Sequence, residues 1–227
     1  MEYFDTGNDP RLKFVNNFFE ESMKILKSKK IPGIKRDKLD AILGDISKAL
    51  QQILWSYLPK DSLVNSEPFK MLEEKLEELE EIYNSAKDEI RKRDESTSSL
   101  LEFLISNLKN LKTRILDYPD EPSSAVDYFY VKVITKEKHP KTEKLYITFV
   151  TNGQKNFRVI TNLEEVKPGD VIPMALLPPR EFSGVISEGM FIAPEMKTKD
   201  ESLIGNKPDL SEKEKKYIVK EIYKYIQ

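Results

Sequence analysis

The hydrophobic repeat changes once along this chain of 227 residues, and this change constrains the fold more than any other feature. Up to about residue 117, apolar residues recur every three or four positions, which is the period of a helix buried on one side. Further along, the period shifts towards two, as in strands with one buried face. The sequence therefore predicts an α+β protein with a helical domain at 1–117, a proline-containing linker at 118–125, a β domain at 126–210 and a C-terminal helix at 211–227.

Four amphipathic stripes predict the helices of the first domain. Asp9 and Pro10 form an N-cap and first-turn pair that opens the first stripe, and Pro59 stops the second. The third and fourth stripes, 69–90 and 101–115, have the heptad spacing of coiled coils. Short connections between four such helices favour an antiparallel helical bundle, or a helical arm that pairs with another copy of the chain.

The heptad phase runs unbroken from the third stripe to the fourth, so a hairpin and a single long helix both fit. We favour the hairpin, because Asp94 and Thr97 would otherwise lie on the apolar seam. The segment 93–99 is also rich in residues that hydrogen-bond their own backbone and favour turns and caps. Ser99 and Glu102 predict a capping box at the start of the fourth helix.

Five segments rich in Val, Ile, Tyr and Phe predict the strands of the second domain: 128–136, 144–151, 157–161, 171–177 and 190–193. Asn152-Gly153 is typical of a tight turn between two of them. Five short strands in succession favour a small barrel. Ser211 and Glu214 then predict a capping box for the last helix, and we expect its apolar face to dock elsewhere on the protein.

The composition argues against catalysis and against a bound metal. The chain has no cysteine and a single histidine, His139, and it lacks the spacings of phosphate-binding loops, serine nucleophiles and zinc helices. We therefore predict a non-enzyme without a cofactor or metal. No apolar run reaches the roughly 18 residues needed to span a bilayer, and the first residues lack the pattern of a secretory signal. The expected location is the cytoplasm, with no membrane partner.

Positive charge is concentrated locally in a chain whose net charge is −2. Residues 130–160 contain seven basic residues and only two acidic ones, Glu137 and Glu143. The seven are Lys132, Lys136, Lys138, Lys141, Lys144, Lys155 and Arg158. Because the whole-chain field is slightly negative, a polyanion would have to bind at such a local surplus.

Two motifs in the second domain are more specific than composition. An HP-x-x-x-K-L stretch covers 139–145, and a G-V-x-S-x-G-M stretch covers 184–190. About residues 126–195 resemble the tRNA-binding domain shared by methionyl-tRNA synthetase C-termini, bacterial phenylalanyl-tRNA synthetase beta subunits, free-standing tRNA-binding chaperones and endothelial monocyte-activating polypeptide. The resemblance implies an OB-fold barrel. This chain departs from the family pattern at Ser183, where a basic residue is usual.

The resemblance also implies an RNA-facing surface that includes Lys144, Ser187 and Met190. From charge and predicted position we add Lys138 and Arg158. Tyr146, Phe149 and Phe157 are candidates for stacking on bases, although strand alternation would place at least one of them in the core. We expect the cations to form one continuous positive strip.

The sequence therefore predicts a non-catalytic protein that binds folded tRNA by charge and shape. By the resemblance, an aminoacyl-tRNA synthetase is the expected protein partner, and a homodimer is the expected assembly. Two alternatives stay open: a helical scaffold with a vestigial OB domain, and a general binder of single-stranded nucleic acid.

Overall fold

The computed structural model describes residues 4–227, which form two compact units. The first, called here the helical unit, contains the chain up to Ala125 together with Ile222–Gln227. The second, called here the β unit, is Val126–Glu221. The predicted α+β class is confirmed. The division differs from the expected one in two places, because 118–125 and the last residues of the chain both belong to the helical unit.

The helical unit is built from six α-helices and a 3₁₀ turn. These are α1 (Pro10–Ser28), α2 (Arg36–Leu54), α3 (Lys60–Val64), α4 (Glu67–Arg93), α5 (Glu95–Lys109), α6 (Leu111–Asp117) and a 3₁₀ helix at Pro122–Ala125. The predicted cap of α1 is confirmed, since the Asp9 carboxylate accepts hydrogen bonds from the amides of Arg11 and Leu12. Each long helix buries the apolar stripe that the sequence showed, except that Ile25 of α1 is exposed.

The third and fourth stripes form a hairpin, as predicted, and the break falls at Asp94. This residue ends α4 and caps α5, where its carboxylate accepts a hydrogen bond from the Thr97 amide at 3.0 Å. The Tyr83 hydroxyl meets Ser98 at 2.8 Å across the two helices, which run antiparallel. A cap at Asp94 satisfies the first amides of α5, so the chain reverses there despite the continuous heptad phase.

The predicted capping box of the fourth helix is wrong. Ser99 lies inside α5 and is buried, one turn beyond the real cap. Glu102 instead accepts a hydrogen bond from Tyr83 and pairs with Lys87 at 2.9 Å, both on α4. Two capping patterns overlap in this segment, and tertiary contacts with α4 decide between them.

The segment expected to be a linker is held by a buried arginine. Arg11 is fully buried, and its guanidinium donates to the carbonyls of Arg114 and Tyr118 at 2.8 and 3.0 Å. It also pairs with Asp9 at 2.6 Å and with Asp120 at 2.7 Å. A buried guanidinium needs acceptors for all its donors, and Asp9, the end of α6 and the chain that follows α6 supply them. The prolines therefore shape a packed turn within the helical unit.

The β unit contains five antiparallel strands. They are β1 (Tyr128–Lys138), β2 (Tyr146–Thr151), β3 (Asn156–Thr161), β4 (Val171–Phe182) and β5 (Val185–Phe191), in the order β3-β2-β1-β4-β5. Both β4 and β5 are longer than predicted. Strand β4 runs through Pro178 and Pro179 because its pairing with β5 is irregular between Leu176 and Arg180, where proline removes no required ladder bond.

The two end strands of this order lie against each other and close the sheet. The Ser187 hydroxyl of β5 accepts a hydrogen bond from the Ile160 amide of β3 at 3.0 Å. The Glu188 carboxylate accepts one from the Arg158 amide at 2.7 Å. The interior is filled by fully buried apolar side chains: Val131, Val133, Val150, Val159, Val171, Ile172, Met174 and Ala175.

The last helix, α7 (Glu212–Ile226), begins at the predicted capping box, where the Ser211 amide donates to the Glu214 carboxylate. Its end docks on α1, as its apolar face suggested. The Tyr225 ring meets Phe14 and Phe18 edge to face, with ring centroids 5.5 and 5.3 Å away. Across residues 4–227, no helix combines the length and the apolar character that crossing a membrane requires.

Candidate nucleic-acid interface

The end of β1 and its connection to β2, residues 138–145, carry three exposed lysines and are called here the basic loop. The three are Lys138, Lys141 and Lys144. His139 holds the loop in place and is itself buried. Its amide donates to the Leu145 carbonyl at 2.9 Å, which closes the loop on itself. Its Nε2 lies 3.0 Å from the carbonyl of Phe182, at the end of β4.

The hydrogen bonds of His139 define its tautomer. Nδ1 accepts a hydrogen bond from the Lys141 amide at 3.1 Å, so the ring proton lies on Nε2 and is donated to Phe182. Both ring nitrogens therefore have protein partners. His139 pins the basic loop to the β4–β5 hairpin, and the lysine ammonium groups stay exposed.

The β4–β5 hairpin completes this part of the surface. Its two-residue turn is Ser183-Gly184, and both residues have positive φ angles, 50° and 93°, as the favoured hairpin turn requires. A β-carbon added to Gly184 would lie 3.2 Å from the Lys141 ammonium, so the two motifs of the sequence meet here. Exposed Arg180 lies on β4 near the turn, with its guanidinium 5.3 Å from the Phe182 ring centre.

The hairpin and loop also carry negative charge. The Glu181 carboxylate accepts a hydrogen bond from the Gly184 amide at 3.1 Å, and Glu143 is exposed within the basic loop. Four cations, the three loop lysines and Arg180, therefore outnumber the three carboxylates of these segments, Glu143, Glu181 and Glu188. The net charge of this surface is positive but small.

Two of the seven cations counted in the sequence serve the structure instead. Lys136 donates to the carbonyls of Leu163, Glu164 and Val166, at 2.8, 2.8 and 2.9 Å, which uses all three protons of its ammonium group. Burial lowers the pKa of Lys136, against the attraction of nearby glutamates. Lys132 pairs with Glu201 at 2.5 Å.

Among the predicted stacking residues, Phe149 is open to solvent. Its side chain is 41 % exposed on β2, and it lies directly opposite Arg158 of β3 in the strand register. The Arg158 Nε donates to the Ile186 carbonyl of β5 at 2.8 Å, which fixes the side chain. Phe157 is buried beside Phe129, with ring centroids 5.7 Å apart. Strand alternation thus divides the aromatic residues between the surface and the core.

Ser187 and its neighbours form the seam between strands. The Ser187 side chain is buried, and besides accepting from Ile160 it donates to the Gly189 carbonyl at 3.0 Å. Met190 is half-buried opposite Ala175 of β4. The five predicted site residues therefore occupy three settings: Lys138 and Lys144 on the loop, Arg158 on β3, and Ser187 and Met190 on β5.

Sequence reasoning counted Lys141 in the basic surplus without naming it as a site residue, and it did not assign a role to His139 or Arg180 in this surface. A signal for His139 was present, because it opens the first motif, but its partner Phe182 is 43 residues away. Within residues 4–227, no three or more His, Asp or Glu side chains are grouped so that they could hold a metal ion.

Both units match known protein families. Residues 130–214 match the family described as "Putative tRNA binding domain", which places the β unit in the class of tRNA-binding domains. Residues 1–117, just over half of the chain, match the family described as "Alpha helical domain". The chain therefore belongs to the alpha helical domain family, with a tRNA-binding domain following the helical one.

Similar proteins include two phenylalanine–tRNA ligase beta subunits and a methionine–tRNA ligase. The phenylalanine–tRNA ligase beta subunit of Leptospira biflexa is 37% identical over 70 residues, covering 27% of this chain and 9% of the relative. That of Thermotoga maritima is 39% identical over 74 residues, covering 28% and 9%. The methionine–tRNA ligase of Pyrococcus horikoshii is 27% identical over 184 residues, covering 76% and 25%.

The chain thus spans at most a quarter of the length of these relatives. The match to the methionine–tRNA ligase has a further consequence. Because it covers 76% of the chain and residues 126–227 make up less than half, it extends into the helical unit. The similarity to the methionine–tRNA ligase is therefore not confined to the β unit.

Proposed function

We propose that this protein is a non-catalytic tRNA-binding protein of the cytoplasm whose β unit is an OB fold. The observation that carries the proposal is the pin made by His139, which joins the basic loop to the β4–β5 hairpin. Exposed lysines then stand on the basic loop between β1 and β2, and exposed Arg180 lies on β4 close to the β4–β5 turn; these two connections flank the β2–β3 face. OB folds bind oligonucleotides with this face and these two loops.

The strand order supports the OB assignment. A five-stranded antiparallel sheet in the order β3-β2-β1-β4-β5, with β5 closed against β3, has the connectivity of a small Greek-key barrel. The match to the tRNA-binding family supports the choice of ligand.

Each predicted site residue has a role in this proposal. Lys138 and Lys144 contact phosphates directly, together with Lys141 and Arg180. Phe149 offers a surface for an unstacked base. Arg158, Ser187 and Met190 act by holding β5 against β3 and β4, which shapes the face that RNA meets. A small positive surface on a slightly acidic protein suits contacts to the backbone of a folded tRNA better than readout of one base sequence.

The proposed partners are tRNA, an aminoacyl-tRNA synthetase and a second copy of the chain. Parts of both units are similar to a stretch of a methionine–tRNA ligase, so we propose that this protein assists a synthetase. A homodimer would double the number of weak RNA contacts and raise the effective concentration of each.

The test measures tRNA binding by gel shift at several salt concentrations. The variant is Lys138→Gln with Lys141→Gln and Lys144→Gln, which leaves the backbone amide that holds His139. Removal of three phosphate contacts should weaken binding by about tenfold at moderate salt and make the slope of log affinity against log salt less steep by about 2.

The matched control is Lys213→Gln with Lys216→Gln and Lys220→Gln. These three exposed lysines lie on the part of α7 that belongs to the β unit, and the variant has the same net charge as the test variant. Its affinity should stay within about twofold of the wild type, because lysines that touch no phosphate release no counterions. Equal binding by the wild type and the loop variant would contradict the proposed site.

The exposed ring of Phe149 favours one competing function, general binding of single strands. In that case an unstructured oligonucleotide would compete as well as folded tRNA, and Phe149→Ala would weaken both equally. Our proposal expects folded tRNA to compete better than the oligonucleotide. If the wild-type protein binds neither folded tRNA nor the oligonucleotide, the remaining alternative is the helical scaffold with a vestigial OB domain.

A further inference from the structure

The turn between α1 and α2 contains the densest run of positive charge in the chain. Residues 24–38, called here the basic turn, hold seven basic side chains and one acidic residue, Asp37. The seven are Lys24, Lys27, Lys29, Lys30, Lys35, Arg36 and Lys38. This surplus of six exceeds that of the basic loop, and the many glutamates of α4 conceal it when charge is counted over the whole helical unit.

The fold places the end of α4 beside this turn. The Lys29 ammonium lies 2.8 Å from the Asp94 carboxylate and 3.0 Å from the Thr97 hydroxyl, at the α4–α5 junction. A β-carbon added to Gly33 would lie 2.7 Å from the Ala86 Cβ of α4. The last residues of α4 are Arg91, Lys92 and Arg93, all exposed. The turn and these three residues together form a surface of ten cations, called here the basic end.

Most of these cations have no carboxylate partner. Lys29 pairs with Asp94, Arg36 with Asp40 at 3.5 Å, and Arg93 with Glu89 at 3.1 Å. Within the part of the chain that the structure describes, no carboxylate lies within ion-pair distance of the other seven, which are Lys24, Lys27, Lys30, Lys35, Lys38, Arg91 and Lys92.

Paired lysines elsewhere in the same unit offer a contrast. Lys70, Lys109 and Lys112 each form an ion pair with a glutamate, at 2.7, 2.8 and 3.4 Å. The helical unit thus neutralises cations in one region and leaves them available in another. The available ones are concentrated at the basic end.

Part of this arrangement opposes helix stability. Lys35 occupies the N-cap of α2 without a side-chain cap bond, and Arg36 and Lys38 lie in the first turn, where only Asp37 is acidic. Positive charge at a helix N-terminus opposes the helix dipole. Local rules are broken in this way mainly where a function requires it. Arg91, Lys92 and Arg93 differ, since cations at a helix C-terminus are favourable.

We propose that the basic end is a second RNA-binding surface, which contacts phosphates of tRNA. The inference rests on the proposed function for the identity of the ligand. An RNA is favoured over an anionic membrane, because Ile25 is the one large hydrophobic residue with an exposed side chain among these described residues. Surface-bound helices need a continuous apolar face to enter lipid.

The test variant is Lys30→Gln with Lys35→Gln and Lys38→Gln. Loss of three phosphate contacts should weaken tRNA binding by about tenfold at moderate salt and make the salt slope less steep by about 2. The thermal midpoint should stay unchanged or rise, because neutral residues at the start of α2 relieve the opposition to its dipole. Weaker binding by a variant at least as stable as the wild type cannot be attributed to unfolding.

The matched control is Lys70→Gln with Lys109→Gln and Lys112→Gln, with the same charge change in the same unit. Lys70 lies 21 residues before Arg91 on α4, which is about 30 Å at 1.5 Å per residue and well beyond a Debye length. This control should bind tRNA within about twofold of the wild type. Equal weakening by control and test variant would overturn the inference, because net charge alone would explain it.

The basic-loop variant separates this inference from the proposed function. If the basic-end variant binds normally and the loop variant is weakened, the inference fails and the proposed function stands. If the basic-end variant alone is weakened, the inference stands and the site in the β unit fails. A wild type that binds no tRNA overturns both. The inference is also overturned if the basic-end variant binds tRNA normally but loses binding to vesicles that contain phosphatidylserine.

Discussion

The basic loop of the β unit and the basic turn of the helical unit are held in place by different kinds of contact. In the β unit, His139 pins the basic loop to the hairpin carbonyl of Phe182 through hydrogen bonds of an uncharged ring. In the helical unit, Lys29 pins the basic turn to Asp94 through an ion pair whose side chains are 39% and 34% exposed. Salt screens a partly exposed ion pair and leaves buried hydrogen bonds almost unaffected.

The comparison also shows that a charge count is a poor measure of a binding surface. In the β unit the count was too high, because Lys136 and Lys132 serve internal partners. In the helical unit a count over the whole unit is too low, because acidic residues along α4 conceal the surplus of the basic turn. The charge offered to a ligand is the charge left after internal ion pairs and carbonyl contacts are subtracted.

The largest effect on stability is expected in the pairing of β4 with β5, the two strands of the hairpin that His139 contacts. Gly189 lies so close to β4 that an added β-carbon would be 2.5 Å from the Ala175 carbonyl oxygen. Because backbone must shift to relieve this overlap, Gly189→Ala should lower the free energy of unfolding of the β unit by about 3 kcal/mol. Urea unfolding gives the magnitude, and hydrogen exchange should show the loss in β-unit peptides.

Gly44→Ala is the control for this substitution in the other region. A β-carbon on Gly44 meets nothing within 4 Å, and the residue lies inside α2. Alanine should therefore stabilise the helical unit by about 0.5 to 1 kcal/mol. A Gly189→Ala protein as stable as the wild type would show that β4 and β5 do not approach each other so closely.

Much of the fold could be predicted because it depends on local pattern. Hydrophobic period separated helices from strands, and polar Asp94 and Thr97 marked the reversal between α4 and α5. The ends of β4 and β5 could not be predicted in the same way. Pro178, Pro179 and Gly189 all oppose strand formation locally, and pairing between the strands overrides that preference.

The candidate site was harder to predict, because its contacts join distant parts of the chain. His139 and Phe182, or Ser187 and Ile160, are paired only by the closure of the sheet. The second motif has structural reasons for several of its residues: Gly184 makes the turn, and Ser187 bonds β3. A resemblance based on such residues identifies the fold more directly than it identifies the groups that touch a ligand.

The second-largest loss of stability should follow removal of the His139 ring, which pins the basic loop to the hairpin. His139→Ala leaves the Phe182 carbonyl and the Lys141 amide without their partner, which should cost about 2 kcal/mol. Amides of the basic loop should lose protection from hydrogen exchange, while the β2–β3 ladder keeps it. The cost should be the same at low and high salt, because no ion pair is lost.

Lys141→Gln is the control for this variant, since it keeps the backbone amide that His139 accepts from. Its hydrogen exchange should match the wild type. The tRNA affinity of His139→Ala should fall even though every cation of the loop remains, because a mobile loop loses entropy when it binds. Unchanged exchange in the basic loop of His139→Ala would contradict a role for this residue as its pin.

The smallest effect, about 1 kcal/mol at neutral pH and low salt, is expected for the charged pin. Burial raises the pKa of Asp94, but hydrogen bonds from Lys29 and Thr97 outweigh it and lower that pKa from 3.8 to about 2. A folded-state pKa below the unfolded one adds stability that is present above about pH 4 and is lost as pH falls towards 2.

Asp94→Asn keeps an N-cap oxygen for the Thr97 amide and removes the charge. The difference between wild type and variant in urea unfolding should therefore shrink with falling pH and with added salt, whereas the His139→Ala difference should not change with salt. If the Asp94→Asn difference is constant across both, the basic turn is not held by an ion pair, and the contrast between the two turns disappears.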